Sequence, residues 1–403
     1  MKVVAEEKIK TLLTRAVSEV IIRDHLEAAL KSGKKLRIKL GIDPTAPDIH
    51  FGHAVSLLKL RQFQELGHQA VLIIGDFTAR IGDPTGRMEA RQALSSQTIK
   101  SNLKNYLKQI GKIIDIGKTE IHYNNKWFGK MGAQEFYNLT SSVTVQQVMK
   151  RDDFRKRIEN NHDIAISEMM YPLFQGYDSV MIRADVELGG EDQKVNLLMG
   201  RRVQRAHDMP EQDVLTTRLI EGTDGSKKMS KSSNNYIGVA EKSDVMFGKI
   251  MSIPDSLILK YFEALTMVPD SEIEKIGLKL KSGENPKNIK MQLAGEIVKI
   301  YHGEKKAEKA ALEFERVFSK KEFPDKIATV ILSDEGRNIL NLLSEMLLVK
   351  SKSEARRLIL ENAVKLDGKI INDPRAKISI KKDAILQVGK KRFVKIKIKY
   401  PRL

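Results

Sequence analysis

Two short stretches of the 403-residue chain combine residue types that could do chemistry. His50-Phe51-Gly52-His53 lies between a predicted strand, Leu36 to Ile42, and a predicted helix starting near Gly52. Open α/β sheets bind ligands at such strand ends, and the unpaired N–H groups of a helix start attract phosphate. Gly52, with no side chain, permits close backbone approach to a flat base. Two imidazoles three residues apart also match half a metal site, but the chain has no cysteine and no third ligand stands beside them. The second stretch is Lys228-Met229-Ser230-Lys231-Ser232, in a loop rich in Gly, Ser and Lys after Gly225. Alone, the first reads as turn and cap chemistry and the second as a solvated basic loop. The pair carries the signal, because five specified residues in the second motif are hard to meet by chance. A third stretch, Gly189-Gly190-Glu191-Asp192-Gln193, follows a predicted strand and opens a helix. On its own, Asp192 there reads as a helix N-cap.

The elements that must position these residues follow from periodicity. Residues 4 to 32 carry apolar positions at helical spacing and stop at Gly33. Ala70 to Gly75 is the short continuous apolar run of a buried parallel strand. Strand and helix alternate through Thr119 to Tyr123, Ser167 to Gln175, Asp185 to Leu188 and a helix from about Asp192. The fold class expected is α/β, with a Rossmann-like, doubly wound parallel-sheet catalytic domain over residues 1–237. Beyond Tyr236 the pattern turns helical, over Asp244 to Ile253, Ser256 to Thr266, Pro286 to His302 and Lys306 to Phe318. A helical domain and linker is therefore expected over 238–335, with Ser319 to Glu335 as connector. A small α+β domain follows over 336–403. It holds a basic helix, Ser351 to Asn362, a hairpin turning at Asp367-Gly368, and strands over Ala384 to Val388 and Arg392 to Ile398.

Composition narrows the function. With 41% hydrophobic and 30% charged residues the chain is that of an ordinary globular protein. No uncharged apolar run approaches the roughly 18 residues of a membrane helix, and the acidic start is unlike a signal peptide, so a cytoplasmic protein with no membrane partner is expected. The absence of cysteine excludes disulfides, a thiol nucleophile and thiolate metal sites. The net charge is +18, and from Lys350 to Leu403 seventeen Lys/Arg face five Asp/Glu, so +12 sits in the last 54 residues. A solvated basic face is one account, but a folded module that meets phosphates explains the concentration better.

The two motifs together resemble the signature pair of the class I aminoacyl-tRNA synthetases, and the surrounding stretches resemble the bacterial-type tyrosyl-tRNA synthetase family. Those stretches are GIDPTAPDIHFGH (41–53), IGDFTARIGDPTGR (74–87), YPLFQGYDSV (171–180) and ELGGEDQ (187–193). The basic terminus is similar to the small RNA-binding domain shared with a ribosomal protein and pseudouridine synthases, and Arg356 and Arg357 on its helix are the candidate RNA contacts. The resemblance implies a tyrosine–tRNA ligase using ATP as a substrate with Mg2+ and no protein-bound metal, with tRNA(Tyr) and L-tyrosine as partners, acting as a homodimer. It places the helical domain on the anticodon side. By the same resemblance Thr45, His50, His53, Arg87, Arg91, Lys228, Ser230 and Lys231 meet phosphates or developing charge. Asp83, Tyr171 and Gln175 hold the tyrosine ammonium with Thr78 beside them, and Asp178 accepts from the phenol. Gly41, Asp43, Gly52, Gly190, Asp192, Gln193 and Lys231 surround ATP. Lys39 departs from the pattern, since some members place a tyrosine there against the substrate hydroxyl. Three rivals remain: a tryptophanyl enzyme of the same fold, a nucleotidyltransferase that uses no tRNA, and a non-catalytic RNA-binding relative. Trp127 reads as a packing anchor. The run Lys150 to Arg157 reads either as a track for tRNA or as a solvated helix of alternating charge.

Overall fold

The computed structural model describes residues 2–85, 94–318, 328–332, 337–378, 380, 383–389 and 392–398. Arg87 and Arg91 lie outside the described residues. Two compact units are present, Met1–Ala311 and Leu312–Leu403.

The first unit is built on six strands: β1 (Val17–Ile21), β2 (Arg37–Ile42), β3 (Gln69–Ile74), β4 (Thr119–Tyr123), β5 (Val186–Gly190) and β6 (Asp213–Thr217). Their order across the sheet is β1-β6-β5-β2-β3-β4. Strands β2 to β6 pair in parallel, whereas β1 joins β6 antiparallel, so the sheet is mixed at one edge and not wholly parallel as expected. The same strand interrupts the helix expected over residues 4 to 32. Val17, Val20, Ile21 and Ile22 crowd β-branched side chains into six residues, which favours a pleated strand. Left-handed backbone at Ala16 (φ 51°) and Ile22 (φ 57°) turns the chain into and out of β1. From β2 the chain runs outward one way through β3 and β4, and from β5 the other way to β6. The topological switch therefore falls between β2 and β5, where open α/β sheets bind ligands beyond the strand carboxyl ends.

Helices cover both faces. The helix Ile166–Ile182 crosses Lys194–Ala206 closely, because a β-carbon on Gly176 would meet Val203 Cγ2 at 2.8 Å and Gly200 Cα at 3.2 Å. That packing fixes the face of Ile166–Ile182 carrying Tyr171, Gln175 and Asp178 at positions i, i+4 and i+7. The helices between Ser243 and His302 belong to the same unit and do not form a separate domain. Arg15 is one reason: its buried guanidinium donates to the carbonyls of Phe262, Glu263 and Thr266, each at 2.9 Å, neutralising the end of helix Ile258–Leu265. Phe51 stacks on Tyr301 at 5.4 Å between centroids.

The second unit holds β7 (Ala328–Leu332), β8 (Arg337–Asn338), β9 (Val364–Leu366), β10 (Lys369–Ile370), β11 (Lys377–Ile378), β12 (Ala384–Val388) and β13 (Arg392–Ile398). Its five-stranded sheet runs β10-β9-β12-β13-β7. The expected connector thus contains a strand: Ala328 to Leu332 pairs in parallel with β13, so this unit begins before residue 336. The hairpin turns where expected, with Asp367 at φ 46° and Gly368 at φ 79°, the left-handed pair of a tight turn. Helices Ile339–Glu345 and Lys352–Leu360 bury Leu342, Leu343 and Ile359 against Leu386 and Ile396.

Candidate active site

A cavity of about 360 Å³ opens at the switch point, bounded by the ends of β2, β3 and β5, the start of helix Phe51–Glu65 and the 228–230 loop. At the helix start His50 is the N-cap, its Nδ1 accepting from Gly52 N at 3.1 Å, while its own N–H points to His53 Nδ1 at 3.4 Å. The rings lie 4.0 Å apart. A β-carbon on Gly52 would approach His50 Cε1 to 2.9 Å, so glycine here makes room for the imidazole as well as for a ligand. Burial first, then each other's proximity and the Lys231 and Lys228 charges, hold His50 far below the ordinary imidazole range. Burial and the same lysines bring His53 down to about 4. Both rings are neutral near pH 7, each able to donate one N–H to an anion.

The 228–232 loop lies beside this turn, and its residues Lys228, Met229 and Ser230 line the cavity. Lys228 pairs with Asp192, and Lys231 donates to the Asp48 carbonyl. Ser230 N donates to Asn235 Oδ1 at 2.8 Å, and Asn235 Nδ2 reaches Asp224 Oδ2 at 3.0 Å, which staples the loop closed on itself. Asp192 caps no helix; it sits in the turn Glu191–Gln193 with its carboxylate toward the loop lysine. Gly190 is bare beside it, since a β-carbon would meet Asp192 Oδ1 at 2.6 Å.

Deeper in the cavity three carboxylates are held apart by donors. Asp43 accepts from Thr78 Oγ1 at 2.7 Å and Tyr171 OH at 2.9 Å. Asp83 accepts from Thr85 Oγ1 at 2.7 Å and Gln193 Nε2 at 2.5 Å. Asp178, 4% exposed, accepts from Trp127 Nε1 at 2.9 Å and Asn124 Nδ2 at 3.2 Å. Burial pushes Asp178 up to about 7, opposed by Lys39 and those two hydrogen bonds.

Thr45, Gly41, Gln175 and Ser230 also line the cavity. Lys39 does not. Its ammonium is fully buried, 2.8 Å from Glu187 Oε1, and donates to Gln175 O at 2.6 Å and Ser179 Oγ at 2.7 Å. Such partners offset the cost of burying an ammonium on the face of β2 covered by a helix. Other residues went unmarked in the sequence. Trp127, expected only to pack, also donates to Asp178, and Asn124 bridges Asp178 to Thr78 at 3.0 Å. Arg151 and Arg157 are neither a tRNA track nor a solvated face, for both are buried, Arg151 on Asp153 at 2.7 Å and Arg157 on Glu168 at 2.9 Å. Arg151 also reaches Thr85 Oγ1 at 2.9 Å, bracing the support of Asp83. Gly75, where a β-carbon would collide with Asp43 Oδ1 and Thr78 Oγ1, had a signal: it ends the apolar run of β3. In the second unit Arg356 and Arg357 are exposed on their helix, Arg357 paired with Glu361 at 2.9 Å.

A mainly parallel sheet of this order, with His-x-Gly-His and the Lys-Met-Ser-Lys-Ser loop side by side at its crevice, is the arrangement of the class I aminoacyl-tRNA synthetases. Residues 31–319 match the family "tRNA synthetases class I (W and Y)", and residues 337–385 match the "S4 domain". The chain is 47% identical over 388 residues to a tyrosine–tRNA ligase of Idiomarina loihiensis, covering 96% of this chain and 97% of that protein. It is 47% identical over 392 residues to that of Thermotoga maritima, covering 97% of each. The chain belongs to the tyrosyl-tRNA synthetase family. Its fold is shared with a C-terminally truncated mitochondrial tyrosyl-tRNA synthetase of Aspergillus nidulans, at TM-score 0.65 and 22% identity over 79% of this chain and all of that one. It is shared too with a tyrosyl-tRNA synthetase complexed with L-tyrosine from Archaeoglobus fulgidus, at TM-score 0.60 and 21% identity over 76% of this chain and 99% of that one.

Proposed function

We propose that the chain is a tyrosine–tRNA ligase, which joins L-tyrosine to ATP as tyrosyl-adenylate with release of pyrophosphate and then transfers tyrosyl to the terminal ribose of tRNA(Tyr). The observation that carries this reading is Asp178: a buried carboxylate on the cavity wall, held by two donors, suits a phenol hydroxyl. Phenylalanine would leave that acceptor unpaired. Asp83, Tyr171 and Gln175 take the ammonium, with Thr78 fixing Asp43 nearby. Asp192, Gly190 and Gln193 take the ribose and its surroundings, with Gly41, Asp43 and Gly52 as floor.

The tyrosine carboxylate then attacks the α-phosphorus and the P–O bond to pyrophosphate breaks. No side chain forms a covalent intermediate, so catalysis rests on positioning and on charge stabilisation. Neutral His50 and His53 donate N–H groups to phosphate oxygens, Thr45 adds a hydroxyl, and Lys228, Ser230 and Lys231 neutralise the leaving pyrophosphate, joined by Arg87 and Arg91. Mg2+ enters as the ATP complex, since it prefers phosphate oxygens and water to an all-protein cage. In the second step the ribose hydroxyl attacks the tyrosyl carbonyl and AMP leaves.

The second unit, with exposed Arg356 and Arg357, meets tRNA phosphates. A homodimer in the cytoplasm completes the proposal. Tyr137 (64% exposed), Val145 (63%), Ile158 (55%) and Ile166 (79%) expose large apolar side chains within one stretch of chain, which supports association. Among the described residues no helix is long and apolar enough to cross a membrane. Pyrophosphate exchange with each amino acid in turn is the test. Exchange with tyrosine alone supports the assignment; silence with all of them points to a non-catalytic RNA-binding protein.

A further inference from the structure

Lys39 and Glu187 face each other as register partners on β2 and β5, the two strands flanking the switch point, and neither side chain reaches solvent. An ion pair so deep costs desolvation that packed apolar residues would avoid, and neither residue lines the cavity. Their remaining partners, apart from Gln212 on Glu187, lie on the helix Ile166–Ile182. Glu187 accepts from Gln175 Nε2 at 3.1 Å and Ser179 Oγ at 3.3 Å, and Lys39 donates to Gln175 O and Ser179 Oγ. Gln175 and Ser179 bracket Asp178 on that helix. Gly200 is part of the device, because a β-carbon there would meet Glu187 Oε2 at 2.9 Å.

We propose that the Lys39–Glu187 pair positions the groups that recognise both polar ends of tyrosine. Glu187 accepts from the Gln175 side-chain Nε2, which leaves Gln175 Oε1 as acceptor for the ammonium, while Lys39, held on the Gln175 backbone carbonyl and Ser179 Oγ, keeps Asp178 a carboxylate for the phenol. The inference rests on the tyrosine assignment above. Asp178 is pushed up to about 7 by burial, and Lys39 is the largest influence against it. The other groups facing Asp178 are Asn124 and Trp127, which favour its charged form, Asp43, which opposes it, and the neutral Tyr171 on its own helix. Removing the Lys39 charge raises the Asp178 midpoint by about one pH unit on the scale of a near opposite charge. The ionised fraction at pH 7 then falls from about one half to about one tenth, roughly five-fold.

Because Lys39→Met alone strands a buried carboxylate, the informative variant is Lys39→Met/Glu187→Gln, which removes both charges and keeps an acceptor for Gln175. Tyrosine-dependent pyrophosphate exchange is followed from pH 6.5 to 8.5, with urea unfolding as a check of fold. In the unsubstituted chain the tyrosine KM rises as pH falls through about 7. In the double variant the loss of the Glu187 charge offsets part of the Lys39 effect, so that rise moves up by at most about one unit, giving a tyrosine KM up to roughly five-fold higher at pH 7, near recovery at pH 8.5 and an ATP KM within about two-fold. Replacing Glu187 by Leu in the same background removes the Gln175 tether too and adds a rise of about ten-fold that does not depend on pH. An unshifted profile in the double variant, or a rise shared equally by tyrosine and ATP at every pH, overturns the role of Lys39. Equal KM values for the Gln and Leu forms overturn that of Glu187. An unsubstituted chain silent with tyrosine overturns the assignment itself and this inference with it.

Discussion

Gly75→Ala is expected to disable the site while leaving the fold standing. The substitution adds one methyl group at the carboxyl end of β3, where the backbone is not left-handed, so alanine meets no conformational penalty there. The methyl would lie far inside the 3.0 Å that real β-carbons keep from other atoms, against both Asp43 Oδ1 and Thr78 Oγ1. The carboxylate must retreat by about 1 Å, a displacement that in a catalytic site can cost about 100-fold in rate. Its 2.7 Å bond from Thr78 breaks at the same time, and a bond to a charged group contributes about 1.5–3 kcal/mol, or roughly 10- to 150-fold. The two figures describe one event and are not multiplied. Overpacking at the edge of the core costs about 1–3 kcal/mol of stability, which a protein of this size survives. The assay is kcat/KM for tyrosine-dependent pyrophosphate exchange beside a urea unfolding curve. A fall of about 100-fold with a cooperative transition is expected. Exchange within three-fold of the unsubstituted chain would refute the placing of Asp43 in the site, and loss of the cooperative transition would show that Gly75 serves the fold and not the site.

Asp178→Ala should lose tyrosine activation far more than stability while phenylalanine gains relative to tyrosine; unchanged kcat/KM for both amino acids would remove Asp178 from the pocket. Lys228→Ala or Lys231→Ala should lower kcat for adenylate formation by about ten- to a thousand-fold, with the tyrosine KM scarcely moved. A change confined to the tyrosine KM would show that the loop serves the amino acid instead. Ending the chain after Phe318 should leave exchange nearly intact and abolish tRNA charging, with the salt dependence of tRNA binding becoming shallower. The cut belongs there and not after Glu335, because Ala328–Leu332 is a strand of the second unit and would be left without its partner β13. Equal charging by both forms at one ionic strength would make the basic unit an appendage.

The two motifs were legible because their residues are contiguous, and contiguity survives in one dimension. His50 to His53 and Lys228 to Ser232 are such runs, and the structure brings His50, Gly52 and His53 of the one and Lys228, Met229 and Ser230 of the other into the lining of one cavity. Elements with a strong period were legible for the same reason: the helix Pro286–His302 and the strands Ala384–Val388 and Arg392–Ile398 fall at their expected limits. The edge strand β1 was not, since its apolar spacing fits a helix equally well and only pairing with β6, some two hundred residues away, decides the matter. Nor was the strand at Ala328–Leu332, which exists by virtue of β13.

By itself the sequence determined the α/β class, the two signature motifs, a helix starting near Ser167 that carries Tyr171 and Gln175, and the +12 concentrated at the end of the chain. Those properties are periodicity, composition and local spacing. Only the tertiary structure decided that Trp127 and Asn124 hold Asp178, that Gly75 clears the space for Asp43, and that Lys39 lies beneath the pocket on Glu187 instead of inside it. The reason is that the energy of a buried charge is set by the partners within a few ångströms of it, and here those partners come from separate strands and helices that the sheet and its packing bring together.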